Sequence, residues 1–270
     1  MDVCPIIRME EAILGDLAAF QAAVPASECN ADARVSLCFD VAAGVAALHD
    51  AGVVHSNLDI THVLIFPGRG KDQFRAKICG FSNTVMIADG SQAVGELNGR
   101  RGTGTLWTAP EIKEACVQLD DVARVDVYSL GLVMWQILVH SDPFSVFDLP
   151  LEEKARHAEM DTILRLPYLF RFIPFFVEDV VGNQVNEKLF LLMARIFERS
   201  FRLNPRSRDL DDVLDSLGEA SGRKLNRGAA IVRPQGSDRV NTPVTTGVMP
   251  ENVVVGVPVT NSIQTPILSD

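Results

Sequence analysis

The sequence is poor in the features that mark secreted, membrane-spanning and metal-binding proteins. Its five cysteines are scattered and none forms a Cys-x-x-Cys pair, so we expect reduced thiols rather than a disulfide framework or a structural zinc site. No apolar run reaches the roughly 18 residues that a membrane span requires, and the N-terminus has no signal-peptide pattern. We therefore expect a soluble protein of the cytoplasm or nucleus that is neither secreted nor membrane-inserted.

Positive charge is also scarce. The chain has 25 Lys and Arg against 35 Asp and Glu, a formal net charge of −10. Residues 222–270 carry five Lys or Arg and three Asp or Glu, which leaves −12 for the rest of the chain. Because an acidic surface repels nucleic-acid phosphates and anionic lipids, we expect neither nucleic acid nor membrane as a partner.

Composition divides the chain into two regions. The whole chain is 47% apolar and 22% charged, which is sufficient for a globular core. Residues 222–270 show no helical or alternating period and contain five prolines after Leu225. We expect one folded unit over residues 1–221 and a disordered tail rich in Pro, Thr and Val over residues 222–270.

Apolar periodicity predicts most of the secondary structure. The spacing of apolar residues predicts helices over residues 10–23, 36–50, 125–139, 186–201 and 209–217. Residues 125–139 are apolar nearly all round, which predicts a buried central helix. Short apolar runs at residues 63–66 and 76–79 flank a Pro- and Gly-containing turn and predict a β-hairpin.

Four motifs occur in a fixed order. They are His-Ser-Asn-Leu-Asp-Ile-Thr-His-Val-Leu at residues 55–64, Gly-Phe-Ser at 80–82, Trp-Thr-Ala-Pro-Glu at 107–111 and Asp-Val-Tyr-Ser-Leu-Gly at 126–131. In this order and spacing they resemble the C-terminal lobe of eukaryotic protein kinases. The resemblance covers roughly residues 5–217 and implies a mainly α-helical fold with small β-hairpins at the catalytic loop.

The resemblance also implies what is missing from these 270 residues. Only four residues precede Pro5, and no Gly-x-Gly-x-x-Gly occurs in the sequence. We therefore expect the chain to start at the hinge of the kinase domain and to lack the N-terminal lobe.

Several matched positions are structural in the family. The resemblance implies that Asp126 holds the backbone of the catalytic loop and that His55 and Phe81 stack in a column anchored by this Asp. It also implies an ion pair between Glu111 and a late arginine, for which Arg208 is the candidate. These scaffold positions indicate that the lobe folds, and carry no information about turnover.

The matched catalytic positions are altered. Asn57 replaces the Asp that accepts the substrate proton, and Asp59 replaces the Lys that meets the transferred phosphate. His62 and Gly80 replace the Asn and Asp that hold Mg²⁺. Ser56 replaces the Arg that reads a phosphorylated activation segment. We expect no catalytic residues, no metal site and no bound ATP or Mg²⁺.

These observations predict a pseudokinase or kinase fragment that acts, if at all, through protein–protein interaction. One alternative is a divergent ATP-dependent Ser/Thr kinase of the tyrosine-kinase-like branch, known from an incomplete gene model whose missing lobe lies upstream. ATP and Mg²⁺ would be cofactors only in that case. A decayed gene with no selected function is a third interpretation.

The partner, if there is one, is an unknown protein. The Phe-rich run that begins at Leu166 and ends at Val177 would be an interface if it is exposed. The alternative is that this run packs into the lobe, as large apolar residues usually do. The tail over residues 222–270 is the second candidate contact.

Overall fold

The computed structural model describes residues 9–68, 74–100, 107–140 and 187–225. The helices in these ranges are α1 (Leu17–Ala23), α2 (Ala31–Asp50), α3 (Ser91–Gly99), α4 (Pro110–Lys113), α5 (Arg124–Val139), α6 (Glu187–Ser200) and α7 (Leu210–Ser221). The strands are β1 (Val53–Val54), β2 (Val63–Pro67), β3 (Phe74–Ile78) and β4 (Val85–Met86). The interaction segments predicted between Leu166 and Val177 and after Leu225 lie outside the described residues.

Helix α5 forms the centre of the core. All of residues 125–139 are buried, as the all-round apolar pattern predicts. Helices α2 and α6 both pack on α5. The stretch Leu119–Val139 is long and apolar enough to cross a membrane, but 89% of an 18-residue apolar segment within it is buried inside the structure. Burial of this kind is also what the core helix of a folded domain shows.

Helices α5 and α6 approach each other closely. A Cβ atom added to Gly131 would lie 2.5 Å from Oγ of Ser200, so only glycine fits at this crossing. Beside it the ring of Trp135 stacks on Phe197, with centroids 5.6 Å apart. Phe201 meets Tyr128 edge-on at 5.9 Å. These aromatic contacts pack α6 and the residue that follows it against the central helix.

Two short antiparallel sheets lie before and after the predicted catalytic loop. Strand β2 pairs with β3, with Val63 opposite Ile78, which confirms the predicted hairpin. Strand β1 pairs with β4, with Val53 opposite Met86. The loop between β1 and β2 is thus held at both ends by backbone hydrogen bonds.

Two predicted helix starts were wrong. The helix predicted from residue 10 begins at Leu17, because Gly15 has φ +74 and Asp16 is the N-cap, its carboxylate accepting from Ala19 N at 2.8 Å. The helix predicted from residue 36 begins at Ala31, where Asn30 is the N-cap. In both cases a capping side chain sets the start of the helix.

The end of α7 is anchored to α2 and β3 through Asp40. This carboxylate is 0% exposed and accepts hydrogen bonds from Ala76 N at 3.1 Å and from Arg75 Nε at 3.0 Å. Arg223 Nη2 donates to its other oxygen at 2.7 Å, and the same guanidinium lies 4.4 Å from the ring centroid of Phe39. The lobe therefore has a specific contact beyond residue 221, where its predicted boundary lies.

Replacing Arg223 by Ala should lower the free energy of unfolding by about 2 kcal/mol, because it leaves part of a buried carboxylate unpaired. Urea unfolding of the full chain measures the change. The exposed neighbour provides the control, since Lys224→Ala should change stability by less than about 0.5 kcal/mol. Equal effects of the two substitutions would contradict the anchoring role of Arg223.

Candidate functional site

The predicted catalytic loop connects β1 to β2 and turns sharply at Ser56. Ser56 has φ +56, a conformation that is uncommon for a residue with a side chain. The loop ends in a short 3₁₀ turn, Ile60–His62, which is capped by Asp59. Oδ1 of Asp59 accepts from the backbone N–H of Thr61 at 2.8 Å and from its hydroxyl at 2.6 Å. The loop is therefore shaped by its own polar side chains.

Asp126 holds this loop from the first turn of α5. Its two oxygens accept from the backbone N–H groups of His55 at 2.8 Å and Ser56 at 2.7 Å. Nε2 of His49 lies 3.0 Å from the same carboxylate. Burial raises the pKa of Asp126, but the contacts with His49, His55 and Ser56 outweigh burial and lower it overall. Asp126 is therefore a stable anion at neutral pH.

His55 connects the loop to the segment before Gly80. Its Nε2 lies 2.8 Å from the carbonyl oxygen of Cys79, which can only accept, so Nε2 carries a proton. Its Nδ1 accepts from Asn57 N at 3.3 Å. Burial lowers the pKa of His55, although the Asp126 carboxylate opposes this effect. The ring of Phe81 lies edge-on to it at 5.5 Å. His55 is therefore uncharged at neutral pH and joins the catalytic loop to the turn that contains Gly80.

His62 fills the space beside Gly80. Gly80 has φ +81, and a Cβ atom built on it would lie 2.0 Å from Cδ2 of His62. Nδ1 of His62 lies 3.1 Å from Oδ1 of Asp59. The contact with Asp59 raises the pKa of His62. Burial raises the pKa of Asp59, but its contacts with His62 and Thr61 outweigh burial and lower it overall. The two residues form an ion pair when His62 is protonated, although Nδ1 of His62 makes no well-aligned hydrogen bond.

Glu111 and Arg208 form a separate buried pair. Nη1 of Arg208 donates to Oε1 at 2.5 Å and Nη2 to Oε2 at 2.9 Å, the bidentate geometry that stabilises such pairs. Arg208 also donates to the carbonyls of Arg202 and Arg124. The pair links α4 to the segment between α6 and α7, away from the loop–turn contacts of His55.

The structure thus brings most of the predicted residues into one cluster. His55, Asn57, Asp59 and His62 lie on the loop, and the predicted positions that face them are Gly80, Phe81 and Asp126. The sequence analysis gave no role to His49, which lies 77 positions before Asp126 and contacts its carboxylate. Ser129, whose hydroxyl donates to the carbonyl of Trp107 at 2.7 Å, was also missed. No local pattern links residues so far apart.

Comparison with known proteins identifies the family. The family model described as protein tyrosine and serine/threonine kinase matches residues 4–167. This match covers more than half of the chain, and the chain belongs to this family. It accounts for the loop, the Gly80 turn and the central helix within one fold.

Individual relatives are more distant. The dual specificity protein kinase zakA of Dictyostelium discoideum is 27% identical over 222 residues, which cover 79% of this chain and 25% of that protein. A serine/threonine/tyrosine-protein kinase of Arabidopsis thaliana is 31% identical over 109 residues, 40% of this chain and 24% of the relative. The chain thus spans about a quarter of the length of these curated relatives.

Gly80→Ala should destabilise the protein more than Gly52→Ala, by about 1–3 kcal/mol. Both glycines have positive φ, so both substitutions carry similar backbone strain, but nothing lies within 4 Å of a Cβ at Gly52. Only the Gly80 variant meets the His62 ring. Urea unfolding of the two variants measures the difference.

The same two substitutions in a His62→Ala background provide the control. Removing the ring should make the Gly80 and Gly52 variants lose similar stability. A difference that persists without the ring would show that His62 is not the cause.

The stabilisation that the Asp59–His62 pair gives to the loop should be lost as pH rises above the unfolded pKa of His62, about 6.5. The folded pKa of His62 is raised above its unfolded value of about 6.5, so its contribution is complete below that value and is lost as pH rises through the folded pKa. The folded pKa of Asp59 is lowered, so its contribution is lost only in acid, below about pH 4. The ion pair is therefore fully present between these limits.

NMR titration of the His62 ring protons tests this pair directly. The His62 pKa should lie above 6.5 in the wild type and fall in Asp59→Asn, while the His140 resonance serves as an internal control. A His62 pKa that is unchanged in Asp59→Asn would contradict the ion pair.

Proposed function

We propose that this chain is a protein-kinase-like domain that does not transfer phosphate and acts by binding another protein. The family membership of the chain supports the kinase-like fold. The chemistry of the candidate site supports the loss of phosphate transfer. The decisive observation is the contact between His62 and Gly80, because it fills the place of a metal-binding carboxylate.

The first argument concerns the general base that accepts the proton of the substrate hydroxyl. Asn57 is the loop residue at the position of the catalytic Asp, and its amide has no basic lone pair at neutral pH. A positioned general base typically contributes about 10²–10⁴ to a rate. Asn57, Trp107 and Thr108 line a small void together, and none of the residues that line this void is Asp, Glu or His.

The second argument concerns charge. A transferred phosphoryl group is stabilised by positive charge from Lys, Arg or Mg²⁺. Asp59 places a negative charge where the family has a Lys, and its lowered pKa keeps that charge at neutral pH. Asp59 is also committed to the 3₁₀ turn through Thr61. Position 59 therefore supplies no positive charge to the group that a kinase loop would have to stabilise.

The third argument concerns Mg²⁺, the metal that the family implies. Mg²⁺ requires oxygen ligands at near-octahedral geometry. Position 62 offers imidazole nitrogen and position 80 offers no side chain, and the His62 ring occupies the volume beside it. These residues do not fit the metal, and no group of three His, Cys, Asp or Glu suited to a metal occurs elsewhere among the described residues.

The remaining features favour a binding role. The buried pair of Glu111 and Arg208 and the anchor at Asp126 maintain a folded lobe without contributing to transfer. The function proposed for such a lobe is recognition of a protein partner in the cytoplasm or nucleus. The run from Leu166 to Val177 and the tail over residues 222–270 remain the proposed contacts. Nucleic acid and membrane are not proposed as partners because the chain is acidic.

Thermal unfolding with nucleotide tests the proposal. ATP with Mg²⁺ at 1 mM should leave the melting temperature unchanged relative to MgCl₂ alone and to an equal concentration of sodium sulfate. A specific ligand at 100 times its Kd would add about 2.7 kcal/mol of stability. A saturable shift with ATP, together with label transfer from ATP to a protein substrate, would establish the alternative of a divergent kinase.

A further inference from the structure

Arginines are concentrated around one cavity of this acidic chain. The cavity measures about 780 Å³ and lies between the end of α2, the start of α5 and the segment that joins α6 to α7. The arginines in its lining are Arg124, Arg199, Arg202, Arg206 and Arg208. The acidic residues in its lining are Asp50, Asp209 and Asp211. The lining therefore carries more positive than negative charge, although the formal net charge of the chain is −10.

Ser207 is one of the residues that line this cavity. It ends the 3₁₀ turn Pro205–Ser207, in which the side chain of Asn204 accepts from Arg206 N at 3.1 Å. The serine is exposed, and its hydroxyl forms no hydrogen bond with any residue in the described ranges. Arginines stand directly before and after it in the sequence. Charged residues around an accessible serine are a feature by which protein kinases select their substrates.

Arg206 has carboxylate partners, but it is held loosely. Its Nη2 lies 3.3 Å from Oδ2 of Asp120, and its Nε lies 3.5 Å from Oδ1 of Asp121. The side chains of Arg206 and Asp120 are 58% and 75% exposed, and Oδ1 of Asp121 forms no hydrogen bond within the described ranges. Long contacts between hydrated charges contribute little to stability. Arg206 can therefore exchange these partners for a stronger acceptor at small cost.

The other arginines of the cavity are paired more closely or are partly buried. Their carboxylate partners are Asp121 for Arg124, Asp212 for Arg199, Glu198 for Arg202 and Glu111 for Arg208. Asp209 is committed as well, since it caps α7 by accepting from the backbone N–H groups of Asp211 and Asp212. Arg206 is thus the cation that an added anion at position 207 would meet first.

We propose that Ser207 is a phosphorylation site and that Arg206 binds its phosphate. A separate serine/threonine kinase supplies the group from ATP. The hydroxyl oxygen of Ser207 bonds to the γ-phosphorus, the bond from that phosphorus to the β–γ bridging oxygen breaks, and ADP leaves. The hydroxyl proton passes to the base of the acting kinase. The chain is the substrate in this reaction, so the proposal does not depend on whether the chain itself transfers phosphate.

The phosphate changes the partner of Arg206. A phosphoserine carries a charge of about −1.5 to −2 at neutral pH and accepts charge-assisted hydrogen bonds from a guanidinium. Asp120 and Asp121 belong to the 3₁₀ turn Leu119–Asp121, which lies just before α5. Phosphorylation therefore moves Arg206 from this turn to position 207. Asp211 opposes the added negative charge, which makes the phosphate dependent on Arg206.

Phosphorus NMR of the full chain with Ser207 replaced by phosphoserine tests the pairing. The second pKa of phosphoserine is about 6, and a nearby guanidinium favours the dianion. This pKa should be lower in the folded protein than in urea by about 0.5 or more. The lowering should disappear in Arg206→Gln. It should remain in Arg195→Gln, the matched control, because Arg195 is 49% exposed on α6 and does not line the cavity.

Phosphate incorporation tests whether a kinase reaches the serine. The folded full chain, incubated with ATP, Mg²⁺ and a eukaryotic cell extract as the source of kinases, should gain phosphate at Ser207. Peptide mass spectrometry locates the site, and Ser207→Ala should lack that phosphopeptide. Incorporation at Ser207 without extract would support the site while contradicting the loss of phosphate transfer.

Two results would overturn the proposal. One is the absence of phosphate at Ser207 after incubation of the folded chain with extract. The other is a phosphoserine pKa that is the same in the folded protein and in urea, or that responds equally to Arg206→Gln and Arg195→Gln. Both arginines are exposed, so these variants should fold, and circular dichroism checks that they do.

Discussion

The arrangement of the candidate site depends on the buried carboxylate of Asp126. This side chain lies in the first turn of α5 and accepts the backbone N–H groups of His55 and Ser56, about 70 positions earlier in the chain. Without it, two buried donors would lose their partner, at a cost of about 1–3 kcal/mol each. The strained φ of Ser56 also persists only because the surrounding contacts impose it. The central helix thus fixes the position of the loop, which carries Ser56, Asn57, Asp59 and His62.

Burial separates the residues that folding constrains from those that it does not. Glu111 is 5% exposed and Arg208 is 3% exposed, and removing one member of such a pair costs about 3–5 kcal/mol. Asn57 and Asp59 lie at intermediate burial, where substitutions cost less stability. A kinase lobe that has lost transfer would therefore still retain its scaffold residues in order to fold. For this reason the intact scaffold is no argument for turnover.

The sequence predicted elements whose signal is local and missed features that depend on distant contacts. Helix α5 is apolar all round and the β2–β3 hairpin has two apolar runs, so both were predicted correctly. The N-cap of α2, Asn30, is a local signal that the apolar pattern does not include, and Arg34, which a pattern places at the surface, is buried. Its guanidinium donates to three backbone carbonyls, those of Cys29, Leu138 and Ala26. One of these lies 104 positions away, and no periodicity within the helix reveals it.

The same limit applies within the candidate site, where positions 62 and 80 read from the sequence as two separate losses. The structure shows that they form one packing unit, since the His62 ring occupies the volume that a Cβ at position 80 would need. A carboxylate at position 80 therefore requires that the ring be removed. A small residue at position 62 alone would instead leave a void beside Gly80, with the loss of contacts that a void entails. Positions 62 and 80 are therefore coupled through packing, and a substitution at either one changes the space available to the other.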